Sequence, residues 1–189
     1  MKKILGITAS AQKKGGETEK ALDFALKFFD NQKFEIDQFS LSKLNISFCT
    51  ACNFCNQNLG QCCIKDDVAN LNQKMREADA IIFASPVYFG CISAQLKAIF
   101  DRTLPLRRDN FALRDKICSG IAVGRSRNGG QELVLSQIQT FANIHGMIYV
   151  GDDSHFGGTV AADFDTDEFG QSTIEGLARK IIRLLGARD

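Results

Sequence analysis

The chain has 189 residues, 44% of them apolar and 24% charged, with 23 Lys and Arg against 22 Asp and Glu for a net charge of +1. That length argues for a single domain over 1–189, and the near balance of charge excludes a protein that mainly coats nucleic acid or an anionic membrane. No run of about 18 apolar residues is present, so no membrane span is expected. The apolar start is also too short for a signal peptide, which makes the cytoplasm the expected compartment.

Residues 3–7 form a short apolar run that ends in a polar, Gly-containing loop, 8–17. Residues 18–29 carry Leu22, Ala25, Leu26 and Phe29 at helical spacing, and 34–39 alternate as a strand does. A cysteine-rich stretch follows. Asp67 is placed to cap a helix with Val68, Leu71 and Met75 on one face. Residues 80–84 are a compact apolar run stopped by Ser85-Pro86, and 93–103 read as a helix. A second such pair is 116–123 and 132–143, followed by a fifth run at 146–150 and a last helix over 173–185. Five apolar runs alternating with five helical patterns predict an α/β fold: a five-stranded parallel sheet covered by helices on both faces. Ligands in such sheets sit outside the carboxyl ends of the strands, so the candidate site is the loops after the first, third and fourth strands. Two stretches, 104–115 and 151–170, stay unassigned; the second is long for a plain loop, which points to binding or assembly.

The first loop reads Thr8-Ala9-Ser10-Ala11-Gln12-Lys13-Lys14-Gly15-Gly16-Glu17-Thr18. Hydroxyls, glycines and a helix N-terminus are the parts of an anion site. It has neither the G-x-G-x-x-G of a dinucleotide fold nor the G-K-[ST] of a P-loop. A single terminal phosphate, as in FMN, suits it, with Ser10, Gln12, Lys13, Lys14, Gly16, Glu17 and Thr18 as candidates; the Glu17 carboxylate counts against that fit. The second loop, Pro86-Val87-Tyr88-Phe89-Gly90, offers backbone polar groups and aromatic flanks for a planar ring system. In the third, Gly124, Asn128, Gly129 and Gly130 are candidates to cradle the ring's pyrimidine side or a phosphate, and Arg125 to balance negative charge. Each loop alone also reads as an ordinary surface turn; their convergence on one sheet edge favours a flavin site.

Seven cysteines stand at 49, 52, 55, 62, 63, 91 and 118. Their odd number and the missing export signal argue against a disulfide framework. Cys49, Cys52 and Cys55 are spaced C-x₂-C-x₂-C, the compact run that wraps an iron–sulfur cluster, and a fourth thiolate closes such a site. Cys62 is taken as that fourth ligand by spacing, with Cys63 left open. Zinc is the alternative, but its four-thiolate sites usually come as two separated pairs; free regulatory thiols are another. Cys91 and Cys118 read as buried small residues. His145 reads as a packed or surface residue, and His155 lies near the carboxyl edge. The acidic residues of 152–168 lack EF-hand spacing.

Residues 6–18, the cysteines of 49–62 leading into Ile64-Lys65-Asp66-Asp67, residues 85–90, Leu96-Lys97-Ala98-Ile99-Phe100-Asp101-Arg102 and Asn128-Gly129-Gly130-Gln131-Glu132 together resemble the iron–sulfur flavoproteins, a branch of the NADPH-dependent FMN reductase group. The resemblance covers most of the chain. It implies a flavodoxin-like fold with strand order 2-1-3-4-5, FMN, and a 4Fe–4S cluster held by an insertion at 46–65. It also implies a homodimer or homotetramer in which the cluster of one subunit lies near the flavin of another. A ferredoxin-like donor or NAD(P)H would supply electrons to a small acceptor. The first loop departs from the family: Ala11, Gln12 and Glu17 stand where Pro, Arg and Asn are usual, and the loop is one residue longer. Two other functions fit the same residues: an NAD(P)H-dependent FMN or quinone reductase without a functional cluster, and a thiol-based redox sensor or binding module.

Overall fold

The computed structural model describes residues 1–12 and 14–186. In chain order the elements are β1 (Lys2–Thr8), α1 (Glu17–Leu26), β2 (Phe34–Ser40), α2 (Phe54–Gln57), α3 (Val68–Glu77), β3 (Ala80–Pro86), α4 (Ala94–Arg102), α5 (Leu104–Arg108), β4 (Ile117–Gly124), α6 (Gln131–Ile144), β5 (Ile148–Tyr149), β6 (Thr159–Ala161) and α7 (Glu168–Gly186). The sheet is parallel in the order β2-β1-β3-β4-β5, with β6 also paired to β4. Order reverses between β1 and β3, so a crevice opens beyond their carboxyl ends.

Strand periodicity sorts the core into two layers. Leu5, Ile7, Ile81, Phe83 and Cys118 point to the side covered by α3, α4 and α6. Ile4, Ala80, Ile82, Ala84, Ile117 and Ile121 point to the side covered by α1 and α7. Each fully buried aliphatic side chain of this kind contributes roughly 1.5–3 kcal/mol. Strand β4 is buried along its whole length, as its continuous apolar run predicts.

The expected fifth strand is cut in two. Val150 N–H still bonds to Cys118 O, but the chain then loops out and rejoins the edge of β4 where Gly158 O accepts Ala122 N–H at 2.7 Å. Only glycine can make that return: Gly158 has φ +59°, and a Cβ there would stand 2.2 Å from Gly120 O. The last helix begins five residues before the predicted start. Asp167 accepts the N–H of Gly170 at 2.9 Å, capping α7, and that of Ala161 at 2.7 Å, which ties the helix to β6. The expected Asp67 cap is also replaced: Asp67 accepts Asn45 N–H, and the neighbouring Asp66 takes Val68 N–H. Among the described residues no helix is long and apolar enough to cross a membrane.

Candidate flavin cleft and cysteine cavity

At the carboxyl edge a cleft of about 540 Å³ is lined by Ser10, Gln12, Glu17, Thr18, Pro86, Val87, Tyr88 and Gly124, with Val123, Arg125 and Ala162. All three loops named from the sequence therefore contribute. The first is held by Ala9 N–H on Ala84 O and by Gln12 N–H on Ser10 Oγ. Gly16 precedes helix α1 with no side-chain cap, so the N–H groups of Glu17 and Thr18 at its start stay available to an anion. A Cβ on Gly16 would lie 2.6 Å from Gln12 Oε1, so a larger residue here would displace the Gln12 side chain that lines the cleft.

The carboxylate of Glu17 is engaged elsewhere: Oε2 accepts Phe164 N–H at 2.6 Å, and Oε1 pairs with Lys20 at 3.0 Å. Lys14 is exposed and does not line the cleft, and Lys13 lies outside the described residues. Arg125 is the cation among the lining residues.

The second loop presents Tyr88 half-exposed and Phe89 fully exposed. Phe89 and Gly90 both have positive φ and are not lining residues. The rest of the third loop sits behind the cleft: Gly130 (φ +98°) packs against Val87, while Asn128 borders a separate pocket with Arg127, Gln131 and His155. Gly129 takes no part in the cleft lining. Gln131 donates to Ser126 O and Val160 O, and its buried Oε1 has no partner. His155 is pinned to Asp152 in that second pocket. Val123 and Ala162 were not legible as site residues; Ala162 comes from the segment after β6, which no local pattern assigns.

The cysteine stretch encloses a second cavity, about 170 Å³, lined by Cys49, Cys52, Cys55, Cys62 and Cys63 together with Arg102 and other residues of the α4–α5 corner. Ala51 (φ 52°) and Asn53 (φ 61°) both lie in the left-handed region, turning the chain so that the three leading cysteines share one cavity. Ala51 N–H donates to Cys49 Sγ at 3.5 Å, and the sulfurs of Cys52 and Cys63 are 3.2 Å apart. The Phe54 N–H, then the Cys63 thiol, hold the Cys52 thiol below its ordinary pKa. Burial, then the charges of Cys62, Cys49 and Cys52, push Cys55 up. Among the described residues no three His, Cys, Asp or Glu side chains form a ready metal-ligand group. The donor chemistry nevertheless fits an iron–sulfur cluster: five cysteine sulfurs in one pocket, with backbone N–H groups turned to sulfur.

Cys118 is buried as expected, whereas Cys91 is exposed, because it pairs by its backbone with Tyr88 in the loop before α4 and does not enter the helix. His145 is packed, with Nε2 2.9 Å from Thr103 Oγ1.

Residues 2–160 match the family described as NADPH-dependent FMN reductase. An iron–sulfur flavoprotein of Methanosarcina thermophila is 44% identical over 183 residues, 97% of this chain and 95% of its own. The chain belongs to the NADPH-dependent FMN reductase family, in its iron–sulfur flavoprotein branch. Another iron–sulfur flavoprotein, from Methanocaldococcus jannaschii, is 41% identical over 97% of both chains. A WrbA-like flavodoxin from Agrobacterium tumefaciens shares the fold, with a TM-score of 0.66 at 17% identity over 97% of this chain and 99% of that one. Membership makes this chain a flavin oxidoreductase with the parallel flavodoxin-like sheet order expected from the family.

Proposed function

We propose that the chain is a single-domain electron-transfer flavoprotein with FMN in the carboxyl-edge cleft and a 4Fe–4S cluster on the 46–65 insertion, held by Cys49, Cys52, Cys55 and Cys62. The observation that carries this reading is the gathering of five cysteines around one cavity in a chain that also has a three-loop cleft. When bound, FMN exchanges one or two electrons and the cluster one, so the pair can join a one-electron donor to a two-electron acceptor. The protein supplies placement. The free N–H groups at α1, with Ser10 and Thr18, hold the phosphate, the 86–88 and 123–125 segments flank the ring, and Arg125 offsets negative charge.

Electrons enter from a ferredoxin-like donor or NAD(P)H and leave to a small acceptor such as oxygen, peroxide or a quinone. The two sites lie at opposite ends of α4. Ser93, at its start, bonds to Ser85 beside the cleft, and Arg102, at its end, borders the cysteine cavity. Nine helical residues separate them by about 14 Å along the axis. The homodimer or homotetramer implied by the family resemblance, in which a cluster serves a neighbour's flavin, is part of the same proposal.

The test is an absorption spectrum of protein purified without oxygen, with iron, sulfide and flavin assays. Flavin bands, a broad shoulder bleached by dithionite, and about four irons and four sulfides per chain are expected. Cys52→Ser is expected to lose the shoulder and keep the flavin. Flavin without iron or sulfide, reduced directly by NADPH, would replace this reading with a cluster-free FMN or quinone reductase. Colourless protein would leave the thiol-based sensor.

A further inference from the structure

Arg102 is the largest fully buried side chain of the described residues, and it carries a charge. Burying a guanidinium is costly unless its donors are met. Nη1 lies 2.9 Å from Asp66 Oδ2 and Nη2 lies 2.9 Å from Oδ1, a two-pronged pair. Nη1 also donates to Ser47 O at 2.8 Å, and Nη2 to Ile64 O at 3.4 Å. Asp66 in turn accepts the Ser47 N–H at 2.9 Å. Ser47 and Ile64 flank the five clustered cysteines, so this one ion pair closes both ends of their loop against α4.

A guanidinium has five N–H donors. Four are committed to these partners. The fifth, on Nε, is fully buried and has none. Arg102 lines the cysteine cavity together with Cys62. Among these cysteines it is the Cys62 side chain that lies against Arg102. The sulfur of Cys63 instead lies 3.2 Å from that of Cys52.

We infer that Arg102 is the positioning residue of the cysteine-held cluster: its spare Nε–H is reserved for the sulfur of Cys62 as a metal-bound thiolate. This rests on the cluster assignment proposed above. A donor and a fixed positive charge beside a ligand sulfur favour the more negative, reduced state, and so raise the cluster's reduction potential.

The experiment uses whole protein, purified and reconstituted without oxygen, and reads iron and sulfide content and the cluster midpoint by EPR-monitored redox titration. Arg102→Lys keeps the charge and removes the Nε–H. It is expected to hold iron while its midpoint moves negative; a loaded Arg102→Lys protein with the wild-type midpoint overturns the inference. Should that variant not fold, the cysteine pair decides. Cys63→Ser is expected to keep the wild-type iron content and midpoint, and Cys62→Ser to lose the cluster signal. The reverse result overturns the inference. Wild-type protein that takes up no iron or sulfide overturns instead the cluster reading on which it stands.

Discussion

The carboxylate of Glu17 accepts the backbone N–H of Phe164 at 2.6 Å, joining the first residue of α1 to the segment that follows β6. This contact explains how an acid is tolerated at the mouth of an anion site. Its charge is turned toward Phe164 and Lys20, and the segment carrying Ala162 is drawn to the cleft.

Glu17→Ala removes the acceptor and leaves the Phe164 N–H short of a partner in a part-buried place. A loss of about 1–2 kcal/mol in urea unfolding is expected. Glu17→Gln keeps an oxygen acceptor and is expected to stay within roughly 0.5 kcal/mol of wild type, since the exposed ion pair to Lys20 contributes little. Equal losses in both variants would show that the charge, rather than the hydrogen bond, ties the segment down.

Burial, then the charge of Arg107, holds the His145 imidazole down at about 4, against about 6.5 in an unfolded chain. The folded protein therefore keeps it neutral while the unfolded chain binds a proton below pH 6.5. Stability from this group is complete above that value and falls as pH drops toward 4. Between pH 7 and pH 5 the loss is about 2 kcal/mol. Urea midpoints for wild type and His145→Gln at the two pH values measure it. The variant is expected to lack this component, and parallel pH profiles would refute the assignment.

Cys91 and Cys118 are expected to differ in reactivity. Cys91 is exposed; Cys118 is wholly buried, and desolvation pushes its thiol well above the ordinary range. Brief iodoacetamide treatment of folded protein followed by peptide mass mapping is expected to show Cys91 labelled and Cys118 untouched. Unfolding in urea is expected to expose both. Labelling of Cys118 in folded protein would mean that β4 opens far more readily than its packing implies.

Much of this architecture is readable one residue at a time. Apolar runs such as 80–84 and 116–123 need only strand propensity and two covered faces, and parallel order then brings the loops at 8–18, 85–90 and 124–130 to one edge. The C-x₂-C-x₂-C spacing is equally local. The sites of Val123 and Ala162 were not readable, because they depend on where a split edge strand rejoins β4. Asp66 and Arg102 stood within the motifs that carry the family resemblance, yet nothing in those motifs says that they meet.

By itself the sequence determined the sheet, its order through the family resemblance, and the residue types available for anion and sulfur chemistry. These follow from periodicity, turn chemistry and spacing within short stretches. Only the tertiary structure decided that the Glu17 carboxylate is committed to Phe164 and Lys20, that Lys14 stays outside the cleft while Arg125 lines it, and that Arg102 closes the cysteine loop with one donor to spare. Each outcome depends on partners far apart in the chain, such as Asp66 and Arg102, 36 positions apart. Packing and the need to satisfy buried polar groups choose such partners after the chain has folded.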